Sequence, residues 1–272
     1  MRVLVTGGRG FLGGAVLAEL AHRGHEVFTY DRRDGNDILD WRNLRTHLEG
    51  CDAILHLAGL LGTHELFDQV ADAIEVNVQG TANVLDAAHA AGARYISTTM
   101  PSVFPSVYTA TKLGAVALER AWHHTYGLPV SRVRAFNAYG PGQRHGPGHP
   151  QKILPTFATA AWAGEPLPIW GDGTQTVDLI HVEDLGRLLV DALDHGDDWT
   201  VDGGTGVPFT VNAVAEMVLT ITGSRAGVEH LPMRRGEAPT QVAATGEGWE
   251  RLDWKPEFDP DRFAAAVESY RP

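Results

Sequence analysis

Among 272 residues there is one cysteine, Cys51. No intrachain disulfide can form, which excludes a disulfide-stapled secreted domain and fits a reducing cytoplasm. Long hydrophobic runs are missing as well. None approaches the roughly 18 residues that a membrane helix needs. The strand-like start lacks a charged region followed by a long apolar one, so no secretory signal is expected. Positive charge is scarce: 22 Lys and Arg stand against 34 Asp and Glu, and the net charge of −12 argues against general nucleic-acid binding. Repeats and low-complexity tracts are absent. What remains is an ordinary globular composition, 43% hydrophobic, long enough to bury a large core as one domain with an appended lobe.

The most informative stretch is Thr6-Gly7-Gly8-Arg9-Gly10-Phe11-Leu12-Gly13. It lies between an apolar run, Val3-Leu4-Val5, and a helix-like segment, Ala15-Val16-Leu17-Ala18-Glu19-Leu20-Ala21. Gly7 allows a tight turn, Gly10 lets the backbone approach a pyrophosphate, and Gly13 permits close packing of helix on strand. The free N–H groups at the start of the helix then face the phosphates. Asp31 ends a second apolar run, Glu26-Val27-Phe28-Thr29-Tyr30. A carboxylate there accepts hydrogen bonds from the adenosine ribose and repels a 2′-phosphate, favouring NAD; Arg32 and Arg33, next in sequence, would suit NADP. Strand, glycines, helix, strand and acid in this order predict a dinucleotide-binding unit.

The alternation continues. Strands are predicted over 52–59, 94–98 and 130–136, and helices over 68–91, with Gly92 as its stop, and 106–126. Strands alternating with helices imply a parallel sheet covered on both faces. From Asn137 to Pro150 the chain turns rich in Gly, Pro and His, which marks a change of lobe. Further helices are expected over 153–163, 183–193, 211–221 and 262–270, and strand-like runs over 166–170 and 178–182.

Tyr108 and Lys112, in Tyr108-Thr109-Ala110-Thr111-Lys112, are four apart and share one helix face. A phenol titrates near 10 and is a poor base at neutral pH. A neighbouring ammonium and a positively charged nicotinamide would both favour the phenolate. A third group, a hydroxyl at the preceding strand end, is needed to bond the reacting oxygen. Ser97, Thr98 and Thr99 all qualify by type. His145 and His149, and the pair His123-His124, have neither cysteines nor a carboxylate arrangement beside them, so no metal site is expected.

These features occur together with Asp37-Ile38, His56-Leu57-Ala58-Gly59, Asn77-Val78-Gln79-Gly80-Thr81, Arg134-Ala135-Phe136-Asn137-Ala138-Tyr139-Gly140-Pro141-Gly142 and Gly171-Asp172-Gly173. The segment from Asp178 to Asp184 completes the set. With them the chain resembles, over nearly its full length, the extended short-chain dehydrogenase/reductases of the NAD-dependent epimerase/dehydratase family. The resemblance implies an α/β fold, a doubly wound parallel Rossmann sheet with a small C-terminal substrate-binding lobe. The NAD-binding domain would take residues 1–140 and 178–203, the lobe 141–177 and 204–272.

The activity implied is NAD-dependent epimerisation of a nucleotide-sugar at C4 through a 4-keto intermediate. A 4,6-dehydratase or ketoreductase is the alternative within the family; an NAD-binding sensor or scaffold without turnover is the alternative outside enzymes. Gly7, Gly10, Phe11, Leu12, Gly13, Asp31, Arg32, Leu57, Ala58, Gly59, Ser97, Tyr108, Lys112 and Phe136 would contact the cofactor, with Asp37 and Ile38 at the adenine and Asn77 ordering that side of the site. Thr99, Tyr108 and Lys112 would be catalytic. Thr99 is the first choice for the substrate-bonding hydroxyl and Thr98 the second. Asn137 would touch the substrate diphosphate or sugar, and Arg234, in Arg234-Arg235-Gly236-Glu237, the diphosphate. The helices over 68–91 and 106–126 would pair two subunits into a homodimer. Two departures bear on activity. Val177 stands where members often have arginine, and Met100-Pro101 where many 4,6-dehydratases carry an acidic pair. The loop from Thr99 to Tyr108 is also short, and so is the chain.

Overall fold

The computed structural model describes residues 1–101, 105–146, 149–234 and 242–272. The chain begins with β1 (Arg2–Thr6), whose Val3, Leu4 and Val5 are all buried, as an inner strand of a parallel sheet requires. It pairs in parallel with β2 (Glu26–Tyr30) on one side and β3 (Ala53–His56) on the other. Three more parallel strands follow outward from β3: β4 (Arg94–Thr99), β5 (Val130–Ala135) and β9 (Asp197–Gly203). The order is β2-β1-β3-β4-β5-β9. The chain builds outward in both directions from β1 and β3, so a crevice opens at their carboxyl ends, where ligands bind in such sheets.

Side-chain alternation along the strands divides two helical layers. Val3 and Val5 face α1 (Phe11–His22) and α7 (Val182–Asp191), packing with Val16, Leu20, Leu185 and Leu189. Leu4 faces the opposite way, toward α2 (Trp41–Leu48) and α4 (Thr81–Ala91), packing with Leu44, Leu48, Val84 and Leu85. Gly186 sets the closeness of the first layer: a Cβ there would lie 3.1 Å from Ala15.

The helix expected over 68–91 is interrupted. A 3-10 turn (Glu65–Asp68) leads into α3 (Val70–Ile74), then one π-helical turn (Glu75–Gly80), and only then α4, closed by Gly92 at φ +67°. Several elements were not expected, two of them in the nucleotide half. One is α2, whose N-terminus is capped by Asp40 accepting from Asn43 N at 3.1 Å. The other is β9, an edge strand. The long helix α5 (Val107–Tyr126) matches expectation, with Ser106 as its N-cap.

The second lobe comprises α6 (Ile153–Ala163), β7 (Leu167–Trp170), β10 (Pro208–Thr210), α8 (Val211–Thr222), β11 (Val228–Leu231) and α10 (Pro260–Glu268), while α9 (Glu247–Arg251) packs on β9 and the first core. The lobe has its own core around Leu154, Phe157, Val214, Val218, Phe263 and Val267. β8 (Thr176–His181) joins the two: it pairs with β6 (Asn137–Tyr139) and β10, with Leu179 in the second core and Ile180 in the first. Asp178 pins this strand. Fully buried, its carboxylate accepts from Thr205 N and Oγ1, both at 2.7 Å, from Gly206 N at 2.8 Å and from Ala243 N at 2.9 Å. Among the described residues no helix is long and apolar enough to cross a membrane.

Candidate active site

The glycine loop is shaped by backbone contact alone. Gly7 takes φ +68°, donates to Tyr30 O at 3.0 Å, and leaves no room for a side chain, since a Cβ would lie 2.8 Å from Ala58 N. A Cβ at Gly13 would sit 2.4 Å from Gly7 O. Gly10 is the N-cap of α1 and offers no side chain to its first N–H groups, at Phe11, Leu12 and Gly13. A helix start left open beside a tight loop fits a pyrophosphate.

Asp31, at the end of β2, accepts from Arg9 N at 2.9 Å and Arg33 N at 3.0 Å, so its carboxylate is fixed against the loop. Arg33 is spent on Arg9 O and Arg9 on Asp34, while exposed Arg32 lies 3.9 Å from Asp37. Asp37 bonds Leu39 N at 3.0 Å. The Ile38 side chain is buried in the core, where a Cβ on Gly80 would lie 2.5 Å from its Cδ1, and its carbonyl accepts from Asn83 Nδ2 at 3.0 Å.

A buried polar web carries the loop after β3 to the start of α5. Thr6 Oγ1 accepts from Leu57 N at 3.1 Å and Ala58 N at 3.2 Å and contacts His56 Nδ1 at 2.8 Å. His56 Nε2 lies 3.0 Å from Thr81 Oγ1, which donates to Asn77 O at 2.8 Å. This order places the imidazole proton on Nε2. Burial, helped by the Lys112 ammonium, holds His56 neutral, pushed down to about 3. Asn77 accepts from Leu60 N at 2.7 Å and donates to Leu60 O at 3.0 Å and Thr111 Oγ1 at 3.1 Å. Both its amide protons are thus committed to protein. Asn77 shapes the wall beside Gly59, where a Cβ would stand 3.0 Å from its Oδ1.

At the head of α5, Ser106 caps Thr109 N at 3.0 Å, and Tyr108 packs on Met100, the residue after Thr99. Burial pushes the Tyr108 phenol up to about 12, with no hydrogen bond or ammonium to offset it. The expected lowering of Tyr108 by Lys112 is therefore absent in this arrangement, because desolvation dominates. Lys112 is itself pushed down by burial and held up by the Glu119 carboxylate.

The strand end divides by period two. Tyr95 lies in the core on the α4 face and Ile96 in the core on the α1 face, so Ser97 and Thr99 share the face of Tyr95 and Thr98 the opposite one. Thr98, the second choice for the substrate hydroxyl, thus faces away from Thr99. Ser97 is buried, and its hydroxyl donates to Glu119 Oε1 at 2.7 Å. Thr99 is buried as well, and neither it nor Thr98 has a side-chain hydrogen bond among the described residues.

On the far side of the crevice, Phe136 is buried, and Asn137 Oδ1 is buried with no hydrogen-bond partner, an acceptor that a ligand would satisfy. The Arg234 guanidinium lies 4.1 Å above the Trp170 ring and donates to Gln151 Oε1 at 2.9 Å. Gln151 N in turn donates to Glu65 Oε1 at 3.1 Å, so the contact spans the two lobes. Arg235, Gly236 and Glu237 lie outside the described residues. Val177 pairs with Phe209 and packs in the second core, so no cation reaches the crevice from that position. Sequence reasoning missed Glu65, Gln151, Trp170 and Glu119. An aromatic residue directly before Gly171-Asp172-Gly173 was the one visible signal.

The sequence model of the NAD dependent epimerase/dehydratase family matches residues 3–202. A UDP-glucuronate 4-epimerase from Thermodesulfobacterium geofontis is 27% identical over 242 residues, 82% of this chain and 73% of that protein. A dTDP-glucose 4,6-dehydratase from Streptomyces niveus is 30% identical over 320 residues, covering 100% and 93%. The crystal structure of UDP-glucose 4-epimerase with UDP-glucose from Thermotoga maritima superposes with a TM-score of 0.92 at 23% identity, covering 100% of this chain and 99% of that one, a likeness of fold. With this match, a cradle suited to a dinucleotide and a Tyr–Lys helix beside it, the chain belongs to the NAD-dependent epimerase/dehydratase family of enzymes.

Proposed function

We propose that this protein is a cytoplasmic nucleotide-sugar 4-epimerase whose catalytic residues are Tyr108, Lys112 and Thr99. One observation carries the reading: among the described residues, half-buried Tyr108 and Lys112 have no side-chain hydrogen-bond partner beside a dinucleotide cradle. Partial withdrawal from water without a protein partner costs free energy, so the fold alone gains nothing from these polar ends. NAD, when bound, supplies a two-electron acceptor that returns its hydride. Tyr108 Oη takes the proton of the sugar C4 hydroxyl as C4 gives up hydride, and Thr99 donates a hydrogen bond to the same oxygen. A phenol near 12 is almost wholly protonated at neutral pH, so the base form requires the Lys112 ammonium to draw up to Tyr108 Oη once NAD and substrate fill the site. The 4-keto sugar then turns, takes hydride on its other face, and recovers its proton from Tyr108. No cofactor is consumed. Asn137 would meet the sugar or diphosphate, and Arg234, braced on Trp170, the diphosphate.

The 4,6-dehydratase is the second reading, because such an enzyme is among the relatives. Met100-Pro101 in place of an acidic pair speaks against it. Incubation with UDP-, dTDP- and GDP-sugars, followed by NMR of the products, is the test. A C4 epimer at equilibrium without consumption of NAD supports the epimerase. A 4-keto-6-deoxy sugar replaces it with the dehydratase, and no product in any incubation would favour a sensor.

A second copy of the chain is the partner proposed. Where α3 packs on α5, Phe67, Val70, Ile74 and Leu113 expose apolar side chains, and these are the helices expected to pair. Ile74→Glu should convert a dimer into a monomer, as measured by sedimentation velocity at micromolar protein. A wild-type protein that sediments as a monomer would remove this part of the proposal.

A further inference from the structure

Seven residues beyond Lys112, two helical turns along the same face of α5, stands Glu119. It is 2% exposed, and a carboxylate so deep is retained only where its partners are good. Two come from β4: Tyr95 Oη at 3.0 Å and Ser97 Oγ at 2.7 Å, both donating to Oε1. The third comes from β5, where wholly buried Arg132 donates from Nε to Oε2 at 2.5 Å. Arg132 Nη2 then reaches Asp198 Oδ1 at 2.6 Å. Asp198 sits at a β-bulge, where β9 carries an extra residue between the partners of Val130 and Ser131, and it adopts φ +57°. Left-handed backbone at a non-glycine residue is strained, and here it accompanies the turn of a carboxylate toward Arg132.

We propose that Glu119 is a positioning residue for the Tyr108–Lys112 pair: its buried carboxylate opposes the Lys112 ammonium and locks the helix of that pair to the strand of Thr99. The charges support this. Glu119 and Asp198 bring two negative charges and Arg132 one positive, so the cluster retains one negative charge. A merely structural ion pair needs no such surplus. The groups acting on Lys112 are His56 from β3, which is neutral, and Glu119 from its own helix, with Tyr108 one turn away. Glu119 is the anion among them, and it counters the burial that would strip Lys112 of its proton. Its mechanical link is equally short. Ser97 is two residues before Thr99 on one strand face, so the carboxylate fixes the register between the hydroxyl and the tyrosine.

The inference rests on Tyr108 and Lys112 being catalytic, and its test therefore reads charge as well as turnover. The chain has only three lysines, Lys112, Lys152 and Lys255. In NAD-loaded protein carrying ε-13C lysine, three signals report their titrations, and the one lost in Lys112→Met belongs to Lys112. Glu119→Gln should lower the proton affinity of Lys112 about tenfold and leave the other two lysines unmoved. Its kcat should fall and its alkaline limb move to lower pH, with KM for the sugar nucleotide little changed. Arg132→Met breaks the same ion pair but keeps the carboxylate, so it should destabilise the fold without lowering the Lys112 affinity. An unmoved Lys112 titration in Glu119→Gln, or equal lowering in both variants, overturns the inference. A titration that moves as expected in a wild type that turns over no sugar overturns the catalytic reading instead, and the charge coupling stands.

Discussion

Asp178 is fully buried and the Tyr108–Lys112 pair half-buried, and the protein treats them in opposite ways. The Asp178 carboxylate receives four hydrogen bonds, three of them from backbone N–H groups, and ties the joining strand to two loops of the second lobe. Among the described residues, Tyr108 and Lys112 receive none. A desolvated polar group costs free energy unless it is paired, so the first cluster holds the fold and the second is tolerated for what it does with a ligand. The Glu119 cluster lies between them: its carboxylate is hydrogen-bonded on both oxygens, while Arg132 Nη1 is buried without a partner.

The sharpest way to break this comparison is Tyr108→Phe. Turnover should fall by about 10²–10⁴-fold while NAD binding and the urea midpoint hold or rise, since the variant removes a half-buried hydroxyl with no hydrogen bond among the described residues. A clear loss of stability would show that the hydroxyl is structural. Asp178→Ala should give the converse. It strands four donors and should lower the unfolding free energy by at least about 3 kcal/mol, measured by urea titration. A fold that shrugs off this change would mean that the cage is unimportant.

His56 supplies a smaller, pH-dependent effect. Its folded value is pushed down to about 3 from an ordinary 6.5. Above 6.5 both states are neutral and the stability is fully present. Below it the unfolded chain takes up a proton that the folded one refuses, so stability is lost as pH falls toward 3. His56→Gln should remove that loss, flattening the stability profile between pH 6.5 and 3 by up to one proton, or about 1.4 kcal/mol per pH unit. An unchanged slope would place the acid sensitivity elsewhere.

The nucleotide half was legible wherever local pattern and burial agree. β1 and β2 with their glycine turn follow from apolar runs and from glycines that no Cβ can replace, and the Tyr–Lys spacing reports one helix face. What escaped depends on partners far away in the sequence. α2 buries only Leu44 and Leu48 of its eight residues, too short a stripe to stand out. β9, Asp197-Asp198-Trp199-Thr200-Val201-Asp202-Gly203, is an edge strand with a bulge, and its acids suggest a loop. Glu119 reads as a solvent-facing helix residue until β4 and β5 close over it. Among Ser97, Thr98 and Thr99 residue type could not discriminate, but depth and strand parity do: Ser97 is covered by α5, Thr98 faces the other layer, and Thr99 remains at the rim.

An α-helix that contains a π turn has in effect accepted one surplus residue without breaking. The segment Glu75–Gly80 is such a place, and its register turns Asn77 inward onto Leu60 and Thr111. Deleting Val78 would give the backbone a regular helix and swing the residues on one side of the cut by about 100° relative to the other. The shortened chain would keep its helix and lose the clamp that aligns the crevice wall with α5. Length at this point, rather than residue identity, is what the site would not survive losing.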